Sequence, residues 1–207
     1  MTSSANIQFH SSGALKGAVT VAGDKSISHR SLMLASQALG ECHIRGLLEG
    51  EDVLATAAAL REMGVHITQE KDEWVVISNG LGSLHEPDNL LDLGNSGTSV
   101  RLLMGLLAAY NFTSFFTGDN SLRHRPMARA MAPLKQMGAR FISHSGDKLP
   151  IALMGGSLIP IEYTLPVASA QVKSAVVLAG LNTAGETSII ETEISRDHTE
   201  RMLTAFG

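Results

Sequence analysis

Two hydrophobic periods take turns along this chain. "SISHRSLMLASQAL" from Ser26, "SGTSVRLLMGLLAAY" from Ser96 and "SAQVKSAVVLAGL" from Ser169 repeat apolar residues at intervals of three and four. Each predicts a helix apolar enough to be buried on most sides. Residues 53–63, 127–137 and 198–206 carry a narrower apolar stripe and a polar face, the pattern of a helix lying on a core. Gly64, Gly138 and Gly207 follow these three stretches, and glycine suits the left-handed residue that closes a helix. Between the two helices of each pair lies a β-rich segment: "CHIRGLL", "FTSFFTG" and "TSIIETEI". After Gly64 and Gly138, "VHITQEKDEWVVIS" and "ARFISHSGDKLPIAL" read as hairpins. The first turns on charged residues and the second on Ser145-Gly146-Asp147.

The same order of elements is thus written three times, with the closing glycines about 70 residues apart. The units run over about residues 22–85, 92–155 and 163–207, making one three-repeat domain over 22–207. The third has no hairpin after Gly207. An unfinished third repeat marks the chain as a fragment, or as one piece of a split protein.

Composition narrows the function. The 207 residues are 44% hydrophobic and 17% charged, ample for a packed core, and the formal net charge is −4. That charge excludes general nucleic-acid affinity, so any anion site must be local. Cys42 is the only cysteine, which rules out an intramolecular disulfide and a paired-cysteine zinc site. The eight histidines lack a helical metal-ligand spacing, so no metal is expected. The first residues lack the pattern of a secretory signal or a transit peptide. The apolar runs, such as residues 102–109, are too short to span a membrane. The expected setting is soluble, reducing and cytoplasmic, with no membrane partner.

Candidate chemistry gathers at the three apolar helix starts. Ser26 is followed by Arg30 and preceded by Lys25; Thr98 is followed by Arg101 after Gly94, Asn95 and Ser96; Ser169 is followed by Gln171 and Lys173. Free amides and the helix dipole favour anions at such starts, and Gly94 and Gly97 allow close backbone approach. Serine and threonine there also serve as plain helix caps, and for a single helix both readings stand. Three equivalent starts around a pseudo-threefold axis would instead converge on one phosphorylated or carboxylated small molecule. "RHRPM" adds Arg123 and Arg125, and "SRDHTE" adds Ser195 and Arg196. "EGED", at 49–52, reads as an acidic helix start, Asp24 as a turn residue, and Asp119 and Asp197 as partners of nearby arginines.

The blocks "GDKSISHR", "LGNSGTSVRLL", "RHRPM", "ASAQVKSAVVLAGL" and "SRDHTERML" resemble, in order and over nearly the whole chain, the 5-enolpyruvylshikimate-3-phosphate synthase (3-phosphoshikimate 1-carboxyvinyltransferase) family. Ala22 stands where that family has proline. The resemblance implies an α/β (α+β) fold of three pseudo-threefold βαβαββ-type repeats, apolar helices inside and sheets outside, the third incomplete. It makes the chain the N-terminal half, with residues 1–21 a strand segment packing against the second domain. The implied reaction moves the enolpyruvyl group of phosphoenolpyruvate to the 5-hydroxyl of shikimate 3-phosphate by addition and elimination, with no metal and no organic cofactor. By motif, Lys25, Ser26, Arg30, Ser169, Ala170, Gln171, Ser195 and Arg196 would hold shikimate 3-phosphate. Lys25, Gly97, Thr98 and Arg125 would face phosphoenolpyruvate, and Lys25 would be the catalytic residue that moves protons. Arg101 is either a ligand group or a structural one.

The family's acid–base carboxylates lie in the other half. The implied partner is therefore the complementary C-terminal half, and the chain alone should not turn over. Gly97 would admit the inhibitor glyphosate, with Ser96 and Leu102 weakening it. One rival is the related UDP-N-acetylglucosamine enolpyruvyl transferase, which starts "GAKN" and uses a mobile-loop cysteine, whereas Cys42 falls on a predicted strand. The other is a non-catalytic shikimate 3-phosphate-binding or assembly module.

Overall fold

The computed structural model describes residues 7–11 and 13–207. Residues 7–11 and 13–23 form neither helix nor strand, and Ile7, Phe9, Leu15, Val19 and Val21 are exposed. The strand expected over 7–21 is therefore not formed in the described residues, because a strand needs a neighbour to satisfy its backbone groups. Residue 12 of that segment, and residues 1–6, lie outside the described residues.

Regular structure starts at Asp24, whose side chain accepts the Ile27 N–H at 2.8 Å and caps α1 (Lys25–Ala35). The chain continues through β1 (Leu39–Arg45), α2 (Glu51–Glu62), β2 (His66–Glu70) and β3 (Glu73–Asn79). Then come β4 (Leu91–Asp92), α3 (Gly97–Ala108), β5 (Thr113–Thr117), α4 (Asn120–Arg123), α5 (Ala128–Gln136), β6 (Arg140–His144) and β7 (Lys148–Met154). The last stretch is β8 (Glu162–Leu165), α6 (Ala170–Gly180), β9 (Ser188–Glu191) and α7 (His198–Phe206).

The strands form three small sheets, ordered β1-β3-β2, β4-β5-β7-β6 and β8-β9. Hairpin pairs are antiparallel, while β4 with β5 and β8 with β9 run parallel across an intervening helix. The first sheet has the order of the last three strands of the second, and the third sheet that of its first two. The first sheet packs on α1 and α2, the second on α3, α4 and α5, and the third on α6.

The apolar helices predicted from Ser26, Ser96 and Ser169 are α1, α3 and α6, and they lie innermost. Leu32, Met33, Leu103, Met104, Leu107 and Val176 are completely or almost completely buried, each contributing about 1.5–3 kcal/mol by leaving water. Helices α3 and α6 cross at Gly105, where a side-chain carbon would lie 2.2 Å from the Ala175 carbonyl oxygen. β1 begins earlier than the "CHIRGLL" segment, because its ladder with β3 extends to the Leu39–Asn79 pair. It stops at Arg45, where Gly46 turns the chain at φ 68°. β4 and α4, two and four residues long, carry no periodic signal to predict them. Cys42 is a free, half-buried thiol on β1.

Candidate functional site

Each inner helix presents its first turn through a side-chain cap. Ser96 accepts the Ser99 N–H at 3.2 Å, and Ser169 accepts the Val172 N–H at 3.3 Å. The capping reading therefore holds for these two serines. It does not hold for Ser26, because Asp24, expected as a turn residue, takes that role in α1. The caps leave Lys25, Ser26, Gly97, Thr98, Ala170 and Gln171 as the first two residues of α1, α3 and α6.

Cross-links tie these starts together. Gln171 Nε2 donates to Thr98 Oγ1 at 3.0 Å, joining α6 to α3. Arg196 Nη1 donates to Ser26 Oγ at 3.2 Å, joining the segment before α7 to α1. A buried chain links α1, α2 and α3: His29 Nδ1 to Thr56 Oγ1 at 2.8 Å, Thr56 to Ser99 Oγ at 2.7 Å, and Ser99 to Ser96 Oγ at 2.6 Å. Burial, with the charge of Lys25 acting the same way, lowers the His29 pKa to about 4 and keeps the imidazole neutral.

The cations one turn into each helix act as braces. Arg30 is almost fully buried. Its Nη1 donates to the Ser26 carbonyl at 2.9 Å, Nε to Thr199 Oγ1 at 2.6 Å, and Nη2 to Ser174 Oγ at 2.6 Å. Arg101 donates to the carbonyls of Gly97 and Pro126, both at 3.0 Å, which is the structural alternative. Lys173 Nζ lies between Glu191 and Glu200, at 2.7 and 2.6 Å. It faces carboxylates rather than the helix start.

The cations flanking the starts are more accessible. Lys25 is half exposed and pairs with Asp52 in the first turn of α2. The "EGED" stretch is thus an acidic helix start that also supplies the partner of Lys25. Arg196 is exposed. Arg125 Nη2 donates to Asn95 Oδ1 at 2.5 Å. A carbon added at Gly97 would lie 2.7 Å from Arg101 Nη1 and 3.5 Å from Arg125 Nη1. Ser195 donates its N–H and O–H to Glu191 Oε1, at 3.2 and 2.5 Å. Arg123 lines a separate polar cavity with His124, His144 and Lys148. Asp119 caps α4 and accepts from the Asn95 amide, both at 2.7 Å, rather than pairing with an arginine. Those bonds, the Asn95 one foremost, hold its carboxyl below the usual range. Thr56, Ser99, Ser174, Glu191, Thr199 and Glu200 were missed by sequence reasoning, and each acts through a partner distant in the chain.

Among the described residues, no group of three or more His, Cys, Asp or Glu side chains is placed to hold a metal ion. The arrangement can bind anions: three open helix starts, linked to one another and flanked by Lys25, Arg125 and Arg196. A sequence profile of EPSP synthase (3-phosphoshikimate 1-carboxyvinyltransferase) matches residues 9–207. The chain belongs to the EPSP synthase family. The 3-phosphoshikimate 1-carboxyvinyltransferase of Paramagnetospirillum magneticum is 58% identical over 195 residues, covering 93% of this chain and 44% of that protein. That of Parvibaculum lavamentivorans is 55% identical over 207 residues, covering 99% and 46%. The solved EPSP synthase from Acinetobacter baumannii superposes with a TM-score of 0.89 at 51% identity, over 92% of this chain and 44% of that one. The enolpyruvyl transferase NikO from Streptomyces tendae, with a TM-score of 0.68 at 16% identity, shares the fold. This EPSP synthase family chain spans about half the length of the curated relatives it matches, 44% and 46% of the two named here. Among the described residues, no helix is long and apolar enough to cross a membrane.

Proposed function

We propose that this chain is the N-terminal half of an EPSP synthase of the cytoplasm. The enzyme transfers the enolpyruvyl group of phosphoenolpyruvate to the 5-hydroxyl of shikimate 3-phosphate and releases phosphate. One observation carries the reading beyond family membership. Groups as distant as Ser26 and Arg196, 170 positions apart, meet by hydrogen bonds at the linked starts of α1, α3 and α6.

In this reading Ser26, Arg196 and the Ser169–Ala170–Gln171 start hold shikimate 3-phosphate, while Arg30 and Ser195, whose donors are engaged within the protein, brace them. Gly97, Thr98 and Arg125 face phosphoenolpyruvate, and the Gln171–Thr98 bond sets the two subsites against each other. Both substrates are anionic and repel one another, so fixed cations and amides must bring their reacting atoms to about 3.5 Å. Lys25 exchanges its Asp52 partner for substrate anions and reaches both ligands.

The shikimate 5-hydroxyl gives its proton to an acid–base carboxylate of the complementary half as its oxygen bonds to C2 of phosphoenolpyruvate, while C3 gains a proton from a general acid. The tetrahedral adduct then breaks its C2–O bond to phosphate and returns a C3 proton to a general base, restoring the double bond. In this reading Lys25 is the general acid that supplies the C3 proton. The acid–base carboxylates come from the complementary C-terminal half, and neither metal nor organic cofactor is needed.

Phosphate release from the two substrates tests this, with the chain alone and then with a separately produced C-terminal half. Activity in the mixture alone is expected. Turnover by the single chain would overturn the division of labour, and silence in both would leave a binding module.

A further inference from the structure

We infer that Lys173 is a positioning residue that acts through Glu191 to hold the Ser195–Arg196 segment for the phosphate of shikimate 3-phosphate, an inference that rests on the synthase reading above. The Lys173 side chain is only 4% exposed, yet it carries an ammonium. Burial opposes that charge, and the hydrogen bonds to Glu191 and Glu200 outweigh it, so the Lys173 pKa lies above its ordinary value. The two carboxylates come from different elements, Glu191 from the end of β9 and Glu200 from the first turn of α7.

The loop between β9 and α7 is therefore clamped at both ends by one amine from α6. Glu191 Oε2 takes Lys173, while Oε1 takes both the N–H and the O–H of Ser195. The Ser195 backbone is fixed by this, and the next residue, Arg196, reaches Ser26 Oγ at the start of α1. Thr199, just before Glu200, receives Arg30. Without the ammonium, two carboxylates would face each other beside a site meant for an anion. Ser195 would lose its anchor, and an approaching phosphate would be repelled.

The experiment uses the chain reconstituted with its C-terminal half, and for amide exchange the chain itself. Lys173→Met is expected to raise the KM for shikimate 3-phosphate about tenfold, with kcat and the KM for phosphoenolpyruvate nearly unchanged. Lys173→Arg, which can engage both carboxylates, is expected to restore it. The Ser195 amide should exchange slowly in the wild type and about tenfold faster in Lys173→Met. Should that variant not fold, Glu191→Gln carries the same two expectations in the same direction. Normal wild-type turnover with an unchanged shikimate 3-phosphate KM in the variants overturns this inference alone. So does a loss confined to kcat, or a Ser195 amide that exchanges as before. A wild-type assembly that binds no shikimate 3-phosphate overturns the synthase reading, and this inference with it.

Discussion

Gly105→Ala tests the packing that positions two of the helix starts. The added carbon would lie 2.2 Å from the Ala175 carbonyl oxygen, 2.6 Å from its Cα and 2.7 Å from its carbonyl carbon. Carbon and carbonyl oxygen settle at about 3.3 Å or more, so α3 and α6 must part by about 1 Å. The obstacle is backbone, and no rotamer change relieves it. Overpacking of this kind costs about 1–3 kcal/mol, and the better helix propensity of alanine offsets up to about 1 kcal/mol. A net loss of about 1–2 kcal/mol lowers the melting temperature of a chain this size by about 2–8 °C. The site feels the change as well. Thr98 lies two turns before Gly105 on α3, and Gln171 one turn before Ala175 on α6. Parting the helices stretches their 3.0 Å bond beyond hydrogen-bonding range. Thermal melting by circular dichroism gives the first readout and shikimate 3-phosphate affinity the second. Gly156→Ala, whose added carbon meets nothing within 4 Å, serves as the control. A Gly105→Ala variant that melts with the wild type, or a control that falls as far, would refute the reasoning.

Two further outcomes follow from the same site. Gly97→Ala meets the movable end of Arg101 first, at 2.7 Å, so the fold should persist. If Gly97 faces phosphoenolpyruvate as proposed, the reconstituted enzyme should show a higher KM for that substrate and weaker glyphosate inhibition; an unchanged inhibitor potency would remove Gly97 from the pocket. His29 has its pKa lowered from 6.5 to about 4. Between those values the unfolded chain binds a proton that the folded chain refuses. Its contribution, about 3 kcal/mol, is therefore complete above pH 6.5 and lost as the pH falls toward 4. His29→Gln should flatten this part of the stability profile in denaturant titrations, and an identical slope in the variant would contradict it.

The long elements were legible because their signal is local. α1, α3 and α6 repeat apolar residues over three turns, and α7 matches its expected span of 198–206. β4 is too short for a period, and the true start of β1 depends on Asn79 in β3, outside any local window. The segment over residues 7–21 was expected to pack with the second domain, and its described residues form no strand within this chain. The helix starts were found through their motifs, but the braces were not. Thr199 means little until it stands against Arg30, 169 positions away.

The cations within the helices show what sequence reasoning lacked. A basic residue close to a helix start opposes the helix dipole, and anion binding was the natural reason to place one there. The geometry supplies another. Arg30 and Arg101 each reach back one turn, to the carbonyls of Ser26 and Gly97, and then across to a neighbouring element. A long side chain one turn into the helix lies beside the backbone of the first turn and is claimed by it. Lys25 is the first residue of α1, and Arg125 and Arg196 precede α5 and α7. Their side chains are more accessible than those of Arg30 and Lys173. Bracing by Arg30 and Arg101 thus follows from their position one turn past the helix start, a distinction that residue type alone does not reveal.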